Sequence, residues 1–340
     1  MTETSPTPQR YLIVGPSWVG DMMMAQSLFI RLKQQSPEAD IDVLAPAWSI
    51  PLLECMPEVR QGIIMPLGHG KLGLRERYQL GKQLREATYD TAIVLPNSWK
   101  SALVPFFANI PRRIGYRGEM RYGLLNDLHQ LDKQRLSMTV QRFVALAEKK
   151  DSTQPPHYAY PHLTVSDEEK AALKHALKLS NAPLLVLCAG AEYGEAKRWS
   201  AQSYANVAKT VLDHGWQVCL AGSTKDAPIT QAIAAQVNHP QCYDLAGKTS
   251  LKEVTVLLAL ATQVISNDSG LMHIAAAVNT PVIAIYGSSD PTFTPPLNQR
   301  ADIIYLDLAC SPCFKRECPL QHLDCLNQIK PQQVINKLAL

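Results

Sequence analysis

The feature that most restricts the fold of this chain is a regular alternation of short apolar runs with amphipathic segments. The runs have the length of buried strands, and the segments between them repeat their apolar residues at helical spacing. Such an alternation predicts an α/β fold with parallel sheets. The runs fall into two sets, residues 11–15, 41–45, 62–66 and 91–96, and then 184–190, 217–222, 263–268 and 282–287.

A proline-rich stretch separates the two sets of runs. Residues 151–166 (DSTQPPHYAYPHLTVS) lack periodic apolar residues and are predicted to be a linker, after which Ser166 and Glu169 form a capping box. We therefore predict domains at 1–160 and 161–340, both doubly wound and Rossmann-like and facing each other across a cleft. The last helix is predicted to pack back on the first domain. Sheets of this kind bind ligands at the carboxyl ends of their strands.

Composition and missing motifs argue against several classes of protein. The net charge of +3 is too small to favour nucleic acid as a partner. The N-terminus, MTETSPTPQR, has no apolar core, and no long apolar stretch follows, so neither a signal peptide nor a spanning helix is predicted. A cytoplasmic protein with reduced thiols is expected. Neither G-x-G-x-x-G nor G-x-x-x-x-G-K-[ST] occurs, which disfavours an NAD-linked oxidoreductase and a P-loop phosphotransferase.

The strongest local signal lies at SNDSGLMHIAAAVNTP, residues 266–281. A strand end runs into Asp268, Ser269 and Gly270, and a helix with small residues follows. Gly270 permits close approach of a ligand, and the new helix offers free N–H groups to an anion. Asp268 suits sugar hydroxyls, which donate hydrogen bonds to carboxylates. The alternative is an aspartate cap on an ordinary strand-to-helix turn.

A second signal is GAEYGEAKRWSAQSYANVA, residues 190–208. Lys197 and Arg198 stand just before a predicted helix that Ser200 caps and Gly215 ends. Two cations ahead of a helix N-terminus suit a diphosphate. The alternative is a solvated basic pair beside a buried Trp199. Together with Asp268, this pair predicts a nucleotide-diphosphate site on the second domain.

The first domain has a different character. Its glycine-bearing turn, GPSWVGDMMM, ends with the carboxylate Asp21, which would repel a phosphate. Basic residues are frequent elsewhere in the domain, and arginine forks match carboxylate and phosphate groups, although solvated surface is the alternative for many of them. One basic group, Lys71, Arg75 and Arg77, follows the glycine-rich LGHGKLG; the other consists of Lys100, Arg112, Arg113, Arg117 and Arg121.

Four stretches together resemble the heptose-transferring members of glycosyltransferase family 9. They are GPSWVGDMMMAQSL, LPNSWKSALVPFFANIPRRIGYRGEMRYGLLND, GAEYGEAKRW and NDSGLMHIAAA, and the similarity spans residues 10–300 in the expected order. The resemblance implies the two-domain GT-B architecture and inverting, metal-independent transfer from ADP-L-glycero-D-manno-heptose to the first heptose of the lipopolysaccharide inner core. ADP-heptose is then a substrate, and no cofactor is implied. A lipid-linked acceptor implies peripheral contact with the cytoplasmic face of the inner membrane.

The resemblance also implies roles for individual residues. Asp21 matches the family's carboxylate that acts as general base, and Lys197, with Arg198 beside it, matches the lysine that holds the donor diphosphate. Asp268 matches the aspartate near the heptose hydroxyls, with Ser269 and Gly270 on the diphosphate side. His273 is either a ligand contact or a core histidine. The acceptor's anionic groups would meet the basic group Lys100, Arg112, Arg113, Arg117 and Arg121.

A cysteine cluster follows these motifs at residues 310–325, CSPCFKRECPLQHLDC. A C-x-x-C followed by two more cysteines is typical of a zinc or iron–sulfur site, although the spacing is not that of a standard zinc ribbon. A structural zinc, packed thiols and a redox-labile disulfide all stay open. The four candidate ligands are Cys310, Cys313, Cys318 and Cys325.

Two other functions compete with heptose transfer. The first is another GT-B transferase with a different donor or acceptor, because the motifs define the diphosphate clamp better than the sugar pocket. The second is a non-catalytic nucleotide-sugar binding protein. Asp21 argues against this second function, because binding alone needs no base.

Overall fold

The computed structural model describes residues 8–68 and 70–340. Residues 1–7, which belong to the N-terminus for which no signal peptide is predicted, lie outside the described residues. His69 of LGHGKLG also lies outside them. The chain divides into two compact units, residues 1–160 and 161–340. Each unit is built on one parallel sheet, which is six strands wide over the described residues.

The first unit contains the sheet order β3-β2-β1-β4-β5-β6, with all neighbours parallel. Its strands are β1 (Arg10–Val14), β2 (Asp40–Ala45), β3 (Gln61–Ile64), β4 (Thr91–Val94), β5 (Arg112–Tyr116) and β6 (Asp127–His129). Its helices are α1 (Val19–Gln35), α2 (Ile50–Leu53), α3 (Leu74–Leu84), α4 (Leu103–Phe107) and α5 (Thr139–Val144).

The second unit contains the sheet order β12-β11-β10-β7-β8-β9, again with all neighbours parallel. Its strands are β7 (Leu184–Cys188), β8 (Gln217–Leu220), β9 (Cys242–Asp244), β10 (Gln263–Asn267), β11 (Val282–Ile285) and β12 (Ala301–Ile304). Its helices are α6 (Asp167–Ala176), α7 (Ala201–Asp213), α8 (Ala227–Val237), α9 (Leu251–Leu260), α10 (Gly270–Ala277), α11 (Asp324–Asn327) and α12 (Pro331–Ile335).

The two sheets share one strand order. In each unit the chain winds outward from the first strand, returns, and winds outward on the other side, so both units are doubly wound as predicted. The reversal lies between β1 and β4 in the first unit and between β7 and β10 in the second. Ligands of such sheets bind at this switch point, outside the carboxyl ends of the strands. We call that side of each sheet its carboxyl edge.

The central strands explain why the apolar runs were visible in the sequence. Every residue of β4 and of β7 is buried, because both faces of a parallel sheet are covered, and such strands read as continuous apolar runs. Four strands had no such signal, and the sequence did not reveal them. They are short or lie toward the outside of a sheet, and their sequences are mixed in polarity: β5, β6, β9 and β12.

Helix ends follow the predicted caps. Ser166 Oγ accepts a hydrogen bond from Glu169 N at 3.2 Å, and Glu169 Oε2 accepts one from Ser166 N at 2.9 Å, which confirms the capping box. Ser200 caps α7, and Gly215 follows its end with a φ of +79°. The last helix, α12, packs on α7 within the second unit, where Val334 is fully buried. Among the described residues, no helix has the length and apolar character needed to cross a bilayer.

Candidate functional site

The switch point of the second unit brings two predicted site residues together. Lys197 ends a single 3-10 turn (Glu195–Lys197) in the loop after β7, and Asp268 follows β10 directly. Because β7 and β10 are neighbours, their carboxyl ends meet at the same edge. Lys197 Nζ lies 2.5 Å from Asp268 Oδ2, although the two residues are 71 positions apart.

The Asp268 carboxylate of this pair is buried, which is energetically unfavourable unless it is compensated. Asp268 is only 6% exposed, and a carboxylate removed from water is tolerated only where charges and hydrogen bonds compensate it. Lys197 supplies the charge, and Ser289 Oγ donates a second hydrogen bond to Oδ2 at 2.5 Å. Sequence reasoning missed Ser289. The available signal was a glycine and two serines, residues 287–289, directly after the apolar run of β11.

Asn267 fixes the loop that carries Lys197. Its Oδ1 accepts hydrogen bonds from Trp199 N and from Tyr204 Oη, both at 3.0 Å, and its Nδ2 donates to Ala189 O at 2.7 Å. Trp199 is fully buried. The end of β10, the loop after β7 and the start of α7 are therefore joined through one amide side chain.

Helix α10 begins at the same edge with its first N–H groups uncapped by a side chain. Ser269 occupies the cap position, but its Oγ lies 3.2 Å from Ser266 Oγ instead of closing the helix end. Gly270 is the first helical residue. A helix N-terminus of this kind attracts an anion through its free N–H groups and its dipole.

Arg198 and His273 differ from Lys197 in what they can offer. Arg198 donates one hydrogen bond, from Nη2 to Ala191 O at 3.1 Å, and its buried Nε has no partner among the described residues. His273 is buried in α10, and burial lowers its pKa to about 4 despite the opposing effect of Asp268. The imidazole is therefore neutral at physiological pH.

The switch point of the first unit presents Asp21. This half-buried residue lies in the first turn of α1, after β1, where the helix dipole favours a carboxylate. Gly15, the first residue of GPSWVGD, has a packing role. A Cβ on Gly15 would lie 2.7 Å from Met22 Cε and 3.3 Å from Val43 Cγ1, so a larger residue would force the Met22 side chain to move. Lys100 lies in the loop after the neighbouring strand β4.

The structure separates the basic residues that were predicted to act together. Arg117 is exposed just after β5, on the carboxyl edge, with its guanidinium 5.9 Å from the Tyr122 ring centroid. Arg112 is the first residue of β5 and pairs in register with Thr91, the first residue of β4. At ~3.3 Å per residue, Arg112 therefore lies about 13 Å from the carboxyl end of β5.

Arg112 and Arg113 thus belong to the opposite edge of the sheet. Arg112 forms an ion pair with Asp127 at 2.8 Å, and Arg113 donates to the carbonyls of Leu124 and Ile110 at 2.7 and 2.6 Å. The structure thus separates Arg112 and Arg113 from Lys100 and Arg117, because a strand places its first and last residues on different edges.

Arg121 has a structural role. It is 1% exposed, and its guanidinium donates to acceptors from the loop after β4 and from the end of β5. The acceptors are the oxygens Tyr116 O, Pro96 O, Ser98 O, Ser101 Oγ and Asn97 Oδ1. Burial lowers its pKa to about 10. Every N–H group of the guanidinium is used, so Arg121 has no donor left for an acceptor substrate. Arg77 is likewise buried, with its Nε bonded to Leu72 O at 2.7 Å.

Three exposed tryptophans line the carboxyl edge of the first unit, and sequence reasoning missed them. Trp18, Trp48 and Trp99 follow β1, β2 and β4 and are 45%, 39% and 39% exposed. Single exposed apolar side chains are common on protein surfaces, so the reason to consider these three is their shared position at the edge where such sheets bind ligands. The signal was present as a tryptophan shortly after each of three apolar runs.

The four cysteines of residues 310–325 differ in exposure. Cys310 is exposed, Cys313 and Cys318 are half-buried, and Cys325 is buried. The backbone N–H of Leu323, with smaller contributions from its neighbours, holds the pKa of the Cys318 thiol below its usual value. Within residues 8–68 and 70–340, no three His, Cys, Asp or Glu side chains are arranged to hold a metal ion. The structural zinc stays a prediction.

Comparisons with known proteins agree on one family. The model of glycosyltransferase family 9 (heptosyltransferase) matches residues 77–324. The lipopolysaccharide heptosyltransferase 2 of Salmonella typhimurium is 49% identical over 340 residues and covers 97% of each chain. The Escherichia coli protein of the same name is 48% identical over 338 residues, again with 97% coverage of each chain.

Solved structures extend this agreement to the fold. The structure of Escherichia coli ADP-heptose lps heptosyltransferase II superposes with a TM-score of 0.87 at 45% identity and covers 97% of each chain. The two parallel α/β units are therefore of the GT-B type. Since the family model spans most of the chain and the relatives are nearly half identical over its length, the chain belongs to glycosyltransferase family 9.

Proposed function

We propose that this enzyme transfers heptose from ADP-L-glycero-D-manno-heptose to the first heptose of the lipopolysaccharide inner core. The observation that carries the proposal is the buried pair Lys197–Asp268, supported by Ser289, at the switch point of the second unit. It combines a cation for a diphosphate with a carboxylate for sugar hydroxyls. Relatives named heptosyltransferase 2 share 48% and 49% of the residues over almost the whole chain.

The second unit is proposed to hold the donor. The diphosphate would meet Lys197 and the N–H groups at the start of α10, beside Ser269 and Gly270, with Arg198 near by. Asp268 would accept hydrogen bonds from hydroxyls of the heptose. His273, neutral and buried, would support this helix from within the core.

The first unit is proposed to hold the acceptor. Lys100 and Arg117 lie on the carboxyl edge and can meet anionic groups of the inner core. The exposed faces of Trp18 and Trp99 offer flat apolar surface on which sugar rings can pack. We omit Arg112, Arg113 and Arg121 from this group, because the first two lie at the other edge and the third is buried.

Inverting transfer requires one displacement at the anomeric carbon. The Asp21 carboxylate would remove the proton of the acceptor hydroxyl while its oxygen attacks, and ADP would leave from the opposite face of the sugar. Negative charge grows on the leaving diphosphate, where Lys197 and the start of α10 stabilise it. The protein's own groups suffice for these steps, so we propose transfer without a metal cofactor.

The finer identity of the partners is part of the proposal. We propose that the acceptor is lipid-linked and carries keto-deoxyoctulosonate and one heptose, and that the enzyme works at the cytoplasmic face of the inner membrane. Vesicles that contain such an acceptor should retain the enzyme on sedimentation, and vesicles without it should retain much less. Equal retention by both would contradict recognition of the acceptor.

The decisive experiment supplies purified enzyme with ADP-heptose and core acceptors of defined length. We expect one heptose to be added to the acceptor that already carries one heptose, at a rate that EDTA does not change. An acceptor without heptose is the matched control and should remain unmodified. Preference for another nucleotide sugar, or transfer to the control acceptor at the same rate, would contradict the proposed function.

A further inference from the structure

The cysteine-bearing segment, residues 310–325, packs directly on the loops of the donor site. Phe314 N donates to Ser288 O at 2.7 Å, next to the Ser289 that bonds Asp268. Ala196 N, next to Lys197, donates to Arg316 O at 3.1 Å. The segment therefore makes backbone contacts beside both residues that hold Asp268.

The fit between the segment and the Lys197 loop is close. A Cβ on Gly194 would lie 2.3 Å from Arg316 O, and the φ of +156° at this residue also favours glycine. Only a residue without a side chain lets the two backbones approach so far. The position of Arg316 relative to this loop is thus set by backbone contacts.

Tyr193 connects the two elements at the level of side chains. Its hydroxyl donates to Phe314 O at 2.8 Å, which fixes the ring against the segment. Lys197 Nζ lies 5.1 Å from the centroid of this ring, and Arg316 Cζ lies 5.3 Å from the same centroid. A single aromatic ring therefore holds two cations, one from each element, within cation–π distance.

Lys197 and Arg316 differ in whether a carboxylate balances their charge. Lys197 is already balanced by Asp268, so this pair as a unit carries no net charge toward a diphosphate. Arg316 is exposed, and no carboxylate in the described part of the chain forms an ion pair with it. A planar guanidinium can bind two phosphate oxygens at once.

We propose that Arg316 is a second cation of the donor site and binds the diphosphate of the nucleotide sugar. The proposal rests on the proposed function, because it takes the nucleotide-diphosphate site around Lys197 as given. It assigns the cysteine-bearing segment a part in donor binding, through Arg316 and through the contacts that hold the Lys197 and Ser289 loops.

The test compares Arg316→Gln with Lys315→Gln in the full chain. Lys315 is the adjacent exposed cation of the segment, so both variants lose the same charge. Calorimetry should show ADP affinity about tenfold weaker in Arg316→Gln and within about twofold of wild type in Lys315→Gln. Adenosine affinity should be unchanged in both, because adenosine has no phosphate. Arg316→Lys should recover part of the ADP affinity.

Several results would overturn the proposal. Equal ADP affinities in Arg316→Gln and Lys315→Gln would show that Arg316 does not touch the diphosphate. A parallel loss of adenosine affinity and of thermal stability in Arg316→Gln would show that the side chain only supports the loop. Both failures differ from failure of the proposed function, in which wild-type enzyme would bind no ADP and transfer no heptose; that result would also remove the basis of this assignment.

Discussion

The two switch points have the same strand order and opposite chemistry. In the second unit, between β7 and β10, the polar groups are assembled and buried: Lys197 and Ser289 both contact Asp268. In the first unit, between β1 and β4, the corresponding edge is open, with a half-buried Asp21 and exposed tryptophans. One scaffold thus supports a buried, charge-paired site in the second unit, which we propose for the donor, and an open edge in the first unit, which we propose for the acceptor. Fold alone does not determine which site forms.

We expect the largest effect on activity from a substitution at Asp21, on the carboxyl edge of the first unit. Asp21→Asn removes the proposed base, so kcat for heptose transfer should fall ~10²–10⁴-fold. ADP affinity should be unchanged, because the donor is proposed to bind the second unit. Glu38→Gln, an exposed carboxylate-to-amide change in the same unit, is the control and should transfer heptose at the wild-type rate. Loss of transfer and of ADP binding together in Asp21→Asn would contradict the division of labour.

Removing one partner of the buried Lys197–Asp268 pair tests the proposed donor site of the second unit. Lys197→Met leaves Asp268 as an unpaired buried carboxylate, which should lower the free energy of unfolding by about 3–5 kcal/mol and abolish detectable ADP binding. The double variant Lys197→Met/Asp268→Asn should regain most of the stability but no ADP binding. Chemical denaturation and calorimetry measure the two quantities. A double variant no more stable than the single one would show that the pair is not coupled.

Titration of His273, at the carboxyl edge of the second unit, should make the free energy of unfolding depend on pH. Because burial lowers its pKa to about 4, the unfolded chain, in which the pKa is near 6.5, binds more protons between these values. The contribution of His273 to stability is therefore fully present above pH 6.5 and is lost as the pH drops toward 4, by ~3 kcal/mol in all. In His273→Gln the slope between pH 6.5 and 4 should be smaller. His214→Gln, at an exposed histidine, should keep the wild-type slope.

Substitutions at two neighbouring buried serines can show whether the hydrogen bond to Asp268 matters for donor binding. Ser289→Ala removes a hydrogen bond to the buried Asp268 carboxylate and should raise KM for ADP-heptose about tenfold. Ser288 is also buried, but its hydroxyl has no partner in the described structure, so Ser288→Ala should leave KM within about twofold of wild type. Steady-state kinetics with varied donor give both values. Similar effects in the two variants would argue against a specific role for Ser289.

The smallest effect is expected at the exposed aromatic surface. Trp99→Ala should leave the protein folded and lower the free energy of unfolding by about 1–3 kcal/mol, since the side chain is 39% exposed and the rest of it is packed. KM for the acceptor should nevertheless rise several-fold, while KM for ADP-heptose stays constant. Leu340→Ala, at a large exposed apolar residue of the second unit, should change neither KM. An unchanged acceptor KM in Trp99→Ala would remove this surface from the acceptor site.

Local patterns carried much of the prediction. Eight apolar runs became strands. Seven of these strands are buried over all or nearly all of their length, and such strands must be apolar on both faces, whereas β3 lies at a sheet edge and has no buried residue. The Ser166 and Ser200 caps depend only on residues within one turn. The strands β5, β6, β9 and β12 carry mixed polarity and gave no such pattern. The predicted basic group is divided for a related reason: Arg112 begins β5, whereas Arg117 follows its last residue, so the two lie at different edges of the sheet.

By itself, the sequence determined the α/β class and the residue types at the ends of β1, β7 and β10, because these depend on periodicity and on neighbouring residues. Only the tertiary structure decided which of these residues meet. Strand order brings Lys197 and Asp268 together, burial turns Arg121 into a structural residue, and packing of the cysteine-bearing segment places Arg316 beside Tyr193. Each of these results depends on contacts between distant parts of the chain, which no local pattern encodes.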